Sequence, residues 1–279
     1  MEIDITTLFC FIDDFCKEID KNESKQTKTR IPGIQISEII LIILLFNHSM
    51  IKNFKHFYLT YLPIIGKYFK FLPSYTRFIE LKPRALEYLI IILQYYCSLS
   101  KKKGNFYIDS TSLKVCSNKR TYSHKVFSEV AKLGKSSMGW FFGLKLHLII
   151  DENGNIANFV FTPGNVDDRT PVEDLTRHLR GLIFGDKGYI SEDVFSKLFE
   201  RGLKLVTGIK KNMKNKLMTV DEKIRLRKRS IIESVFNVLK NYFDLENSRH
   251  RSVENAMVHS LSILISYGMH GGKPAIKMN

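Results

Sequence analysis

The chain has 279 residues, a net charge of +15 and 44% hydrophobic side chains, enough apolar material for one large or two ordinary domains and too much for disorder throughout. Its longest apolar run, Ile39 to Phe46, is far short of the roughly 20 residues that span a bilayer, and its start lacks the basic-then-apolar order of a secretory signal. Cys10, Cys16, Cys97 and Cys116 show no paired CxxC spacing, which speaks against a zinc site or disulfide framework and for reduced thiols in the cytoplasm. The positive charge points to a polyanionic partner, nucleic acid before a membrane surface.

Residues 1 to about 100 read as helical, through ITTLFCFIDDFCKEI, ISEIILIILLF, IKNFKHFYLTYL and PRALEYLIIILQYYCSLS. Ser37 is placed to cap the second helix and Pro83 to open the last. The intervening LPSYTRFIELKP is expected to hold a turn and one compact helix. Such short helices suit helix-turn-helix DNA binding and, equally, a plain bundle. KKKG, Lys101 to Gly104, marks a change of character and an expected domain boundary, giving domains over 1–100 and 104–279.

The strand FYIDSTSL follows, with Asp109 expected near its C-terminal end, where a rigid strand opens to solvent. Between Ser112 and Lys145 the basic residues Lys114, Lys119, Arg120, Lys125, Lys132, Lys135 and Lys145 face one acid, Glu129. That segment is expected to follow a phosphate backbone. WFFGLKLHLIID and IANFVFTPGN, joined by a turn containing Asn153-Gly154, read as a hairpin. His147 on its first strand reads as a packed or surface residue and is left out of the site. Helix over PVEDLTRHLR, strand over LIFGDKGY, helix over SEDVFSKLFERG capped by Ser191, and strand over LKLVTGIK then alternate, which predicts a mixed sheet covered by helices. SVENAMVHSLSILISYGMH is expected to close the chain as an amphipathic helix.

The stretch Arg227 to Lys240 is expected to be helical. At about 100° per residue, Arg229, Glu233 and Lys240 share a narrow arc, while Ile232, Val235, Phe236 and Leu239 form a face to bury. Alone, Glu233 would be a solvated surface residue. With Asp109 and Asp186 it would form a set of hard oxygen donors suited to Mg²⁺ or Mn²⁺ and to two-metal phosphoryl transfer. Asp167 and Asp168 compete with Asp186 for the second place, and Glu222 and Glu246 with Glu233 for the third.

ITTLFCFIDDFCK, YIDSTSLKVC, NKRTYSHKVF, GKSSMGWFFGLKLHLII, TPGNVDDR, FGDKGYI, KKNMKNKLM, LRKRSIIESVFNVLK and SRHRS, in this order, resemble a DDE transposase of the insertion sequence 982 family over essentially the whole chain. The resemblance implies an α/β, ribonuclease-H-like mixed sheet with flanking helices, preceded by an all-helical N-terminal domain that binds DNA. It implies Asp109, Asp186 and Glu233 as the Mg²⁺-binding catalytic triad, with Mn²⁺ a possible substitute. Arg229, Glu233 and Lys240 match the end of a Y-x2-R-x3-E-x6-K signature, in which Leu226 replaces the tyrosine. By the same resemblance Arg229, Lys240 and Lys187, together with Lys119, Arg120, Arg249 and Arg251, would contact DNA. The implied partners are the terminal inverted repeats and target DNA, with a homodimer or larger assembly on DNA and no membrane. A non-catalytic DNA-binding relic, or a nuclease of the same fold without strand transfer, are the rival readings.

Overall fold

The computed structural model describes residues 4–22, 33–49, 51–209, 217–246 and 250–276. In chain order they form α1 (Ile5–Asn22), α2 (Ile36–His48), α3 (Phe54–His56), α4 (Tyr75–Leu81) and α5 (Leu86–Ser98), then β1 (Lys103–Cys116), β2 (Lys132–Ser136), β3 (Gly139–Asp151) and β4 (Ile156–Pro163). There follow α6 (Val172–Leu175), β5 (Arg180–Gly185), α7 (Glu192–Glu200), β6 (Leu203–Thr207), α8 (Val220–Arg227), α9 (Ile231–Asn237) and α10 (Val253–Met269). Among the described residues no helix is long and apolar enough to cross a membrane.

By compactness the chain divides into a helical unit and a sheet unit, with the boundary inside α5, between Leu93 and Gln94. Residues 242–245 and 250–269, which include α10, belong to the helical unit although they follow the sheet in sequence. The cause is visible in α2, which is apolar around nearly its whole circumference and so must be enclosed. α10 packs on it. The buried Asn47 amide donates to Ser262 and Ser266 on α10, at 3.1 and 3.0 Å, so the polar groups of this contact satisfy one another. Ser37 does not cap α2: Gln35 holds the N-cap position, with Glu38 reaching back to its backbone amide, while the Ser37 hydroxyl donates to Asp13 at 2.9 Å. Ser74 caps α4, and Pro83 lies in a 3-10 turn, Lys82–Ala85, that leads into α5.

In the sheet unit the strand order is β2-β3-β1-β5-β6, with β4 also on β3. β1 pairs antiparallel with β3 and parallel with β5, which pairs parallel with β6. Phe106, Ile108 and Ile183 project from one face into a core with Val172, Leu175 and Leu198 from the α6 and α7 layer. Burying each such side chain contributes about 1.5–3 kcal/mol. The β3–β4 connection is a four-residue loop, in which the Asp151 carboxylate accepts from the amides of Asn153 and Asn155, both at 2.9 Å, and Gly154 takes a φ of 72°. The helix expected over PVEDLTRHLR shrinks to the single turn of α6, and Ser191 caps α7 as expected.

Candidate functional site: three carboxylates around Arg229

Strand register brings the first two acids level. β1 and β5 run parallel with Tyr107 opposite Phe184, and these two rings stack at 5.4 Å on one face of the sheet. Side chains alternate along a strand, so the residues two further on project to that same face. Those residues are Asp109 and Asp186. β5 ends at Gly185, so Asp186 leaves the sheet with an exposed side chain at the N-cap of a 3-10 turn, Lys187–Tyr189. β1 runs on to Cys116, and Asp109 therefore lies in mid-strand, half-buried, not near the strand's end. The opening to solvent comes from the end of its neighbour.

The third acid arrives on a helix that changes character along its length. α8 passes through a 3-10 turn, Lys228–Ser230, into α9 and then a π-helical turn, Val238–Tyr242. Ile232, Val235, Phe236 and Leu239 are buried, as the apolar arc predicts, and α9 packs on β1. Arg229 and Glu233 are one turn apart with their groups 3.4 Å from each other. The Arg229 guanidinium also lies 3.4 Å from Asp109 and 3.9 Å from Asp186. Three acids far apart in sequence thus meet on one guanidinium.

Burial dominates the electrostatics of Asp109 and raises its carboxyl to about 6; the Ser110 amide and Arg229 oppose this, while Asp186 and Asp168 add to it. Asp168, a rival for the second place, is held by Lys145 at 2.9 Å. Lys145 also donates to the Val166 carbonyl at 2.9 Å, so its ammonium is withdrawn from the phosphate-following set. His147 is fully buried, bonded to Thr162 at 2.8 Å, and burial lowers it to about 4, keeping the ring neutral. Asp167 is clamped by Arg169 at 2.8 Å. Glu222 closes a capping box with Thr219 and binds Lys204 at 2.5 Å, and Glu246 faces Lys240 at 3.4 Å. Tyr189 carries no signal in the sequence beyond its place in GDKGY. Its ring packs close to Gly185 and Ile108, and its buried hydroxyl is pushed well above the usual range by burial and by Asp109, Asp168 and Asp186.

The basic residues sort by what they touch. Lys240 donates to the Ser112 carbonyl at 3.0 Å, tying its helical segment to β1. Lys187 is exposed beside Asp186, and Lys119 and Arg120 are exposed on a 3-10 turn, Asn118–Ser123. Arg251 is exposed in the helical unit, and Arg249 lies outside the described residues.

Among the described residues no three His, Cys, Asp or Glu side chains stand close enough, as placed, to share one metal ion. The donor set nonetheless suits a hard divalent cation. It consists of carboxylates alone, gathered on a cationic group, and Asp186 and Glu233 are 60% and 61% exposed, leaving their side chains room to turn. Arg229 stands in for the positive charge, and a bound cation would compete with it for the same oxygens.

Fold and site together define a mixed α/β protein with an acidic cluster drawn from two parallel strands and a covering helix. A family model described as a transposase DDE domain matches residues 99–253, more than half of the chain and all three acids. The chain belongs to that family. No curated protein and no solved structure matches it.

Proposed function

We propose that this chain is a DNA transposase of the insertion sequence 982 kind, cutting DNA at the ends of its element and joining the freed 3′-OH to a target. The observation that carries the reading is the convergence of Asp109, Asp186 and Glu233 on Arg229 within a transposase DDE domain. A strand order with β1 between an antiparallel and a parallel neighbour supports a ribonuclease-H-like catalytic core.

Asp109, Asp186 and Glu233 would hold magnesium or manganese, which when bound activates the attacking oxygen and stabilises the leaving one. In the first step a water oxygen bonds to phosphorus, the P–O3′ bond breaks, and the 3′ oxygen leaves and takes up a proton. In the second that 3′ oxygen attacks a target phosphodiester and displaces its O3′. The protein's own part is positional: β1 fixes Asp109 through the sheet and the Ser110 amide, at 2.8 Å. Arg229 balances the acids and would meet a phosphate once a cation takes them over. DNA carrying the element's terminal inverted repeats, and target DNA, are the partners, bound by a dimer or larger assembly in the cytoplasm.

The test is cleavage and joining of labelled duplexes taken from the DNA flanking the coding region, with Mg²⁺, by wild type and by Asp109→Asn and Glu233→Gln. Wild type should cleave and join, and both variants should do neither. Variants as active as wild type would remove the triad assignment, and cleavage without joined product would select a nuclease.

A further inference from the structure

The sheet unit carries an aromatic surface that the acidic cluster does not use. Tyr122 is 98% exposed, Met138 89% and Trp140 57%. Trp140 is the second residue of β3 and Met138 lies at the tip of the β2–β3 hairpin, while Tyr122 is on the Asn118–Ser123 turn. The Asn118 amide donates to the Trp140 carbonyl at 2.8 Å, joining turn to hairpin. The tip is built as well as exposed. The Ser136 hydroxyl accepts from the Met138 amide and donates to the Gly139 carbonyl, both at 3.2 Å, and Gly139 takes a φ of 107°, a conformation that side chains resist. Below the tip, Gly134 meets the Gly164 carbonyl so closely that no Cβ fits.

The surroundings say what would cover this surface. Lys114, Lys119, Arg120, Lys125, Lys132 and Lys135 are all exposed, and Glu129 is the one acid between Ser112 and Lys145. The Lys135 ammonium lies over the Trp140 ring at 5.8 Å. An apolar protein partner would leave these cations unanswered. A polyanion with flat apolar faces answers both features, and that is nucleic acid. A stacked duplex hides its base faces, whereas unpaired bases present them.

We propose that this hairpin and turn bind unpaired bases of DNA, with Trp140 and Tyr122 stacking on them, Met138 packing alongside, and the surrounding cations holding the flanking phosphates. The proposal rests on the transposase reading for DNA as the partner and adds the form of DNA held. Asp109 pairs with Leu148 and Trp140 with Lys135, so the two sites are separated along β3 by roughly 27 Å of strand. The surface therefore grips DNA away from the bond that is cut.

Trp140 is the only tryptophan in the chain, so its fluorescence reports this surface alone. The full chain is titrated at low salt with a labelled single strand, a flush duplex and a duplex with a short unpaired end, all drawn from the flanking DNA, and with anionic phospholipid vesicles. Label anisotropy measures DNA binding independently. Single-stranded and forked DNA should quench Trp140 strongly, and the flush duplex should bind with little quenching. Tyr122→Ala and Trp140→Ala should each weaken forked-DNA binding about tenfold and flush-duplex binding less than about twofold, with Trp140→Phe restoring it. Equal quenching by flush and forked duplexes, or variants that bind both like wild type, would overturn the proposal. Quenching by vesicles in place of DNA would assign the surface to a membrane and overturn it too. DNA that is bound and cleaved without change at Trp140 removes this inference alone, whereas failure to bind any DNA removes the transposase reading with it.

Discussion

The two units treat their enclosed ionisable groups differently. Three bases are enclosed in the helical unit: Lys82 lies over the Phe54 ring at 5.2 Å, and His250 and His259 face each other at 4.8 Å between ring centres. Burial pushes all three toward their neutral forms, Lys82 to about 8, His250 to about 4 and His259 further still. In the sheet unit the gathered groups are acids, and the half-buried Asp109 is raised only to about 6, so it stays mostly ionised at pH 7. At pH 7 the two imidazoles are neutral and need no partner, and Lys82, at about 8, still holds most of its charge over an aromatic ring, whereas carboxylates that keep their charge need a cation beside them. The sheet unit therefore has a standing demand for positive charge, met by Arg229 in the structure described.

The largest expected effect breaks function without breaking the fold. Asp109→Asn should lower DNA cleavage more than about 100-fold while leaving the melting temperature unchanged or raised, because burying the ionised Asp109 costs stability. A melting temperature that falls in step with activity would make Asp109 a structural residue. Next comes acid pH. The folded values of His250 and His259 lie below the ordinary 6.5, so the unfolded chain takes up protons first and the stability contributed by the neutral rings is complete above that pH. It should be lost as pH falls through about 4, by about 3 kcal/mol for His250 alone, and helical far-UV circular dichroism followed from pH 7 to 4 measures it. Stability unchanged over that range would contradict the burial of both rings.

Two smaller substitutions sharpen the contrast. Lys82→Met should stabilise the protein at pH 7 by about 1–3 kcal/mol, since it removes an amine whose charged form is disfavoured there, and the gain should shrink as pH rises past 8. Denaturant titrations at pH 7 and pH 10 give both values. Arg229→Ala should cost about 1–2 kcal/mol in chelator, with part of the loss recovered on adding Mg²⁺. An identical loss with and without Mg²⁺ would mean that no cation replaces the guanidinium.

Much of the fold is legible locally. α1, α2, α10 and the long strands are marked by periodicity and by apolar runs, and Ser191 announces α7. β2 carries no local signal, because KLGKS is short, polar and interrupted by glycine, and it becomes a strand only through pairing with β3. α6 is shorter than the helical composition of PVEDLTRHLR predicts, since the chain turns at Thr176, whose hydroxyl donates to the Val172 carbonyl at 2.7 Å. Asp109, Asp186 and Glu233 stand out in the sequence as a candidate set, and the i,i+4 spacing puts Arg229 by Glu233. That Arg229 also reaches Asp109 and Asp186 depends on how the helix lies across β1.

By itself the sequence determined most of the helices and the long strands, which faces are apolar, and which acids and bases are available, because these follow from side-chain type and short-range spacing. Only the tertiary structure decided which of them meet. Parallel register of β1 with β5 sets Asp109 level with Asp186, packing of α9 on β1 brings Glu233 and Arg229 to them, and Asp168 lies against Lys145. Contacts between residues distant in the chain are chosen by the packing of whole elements, and no local pattern records that choice.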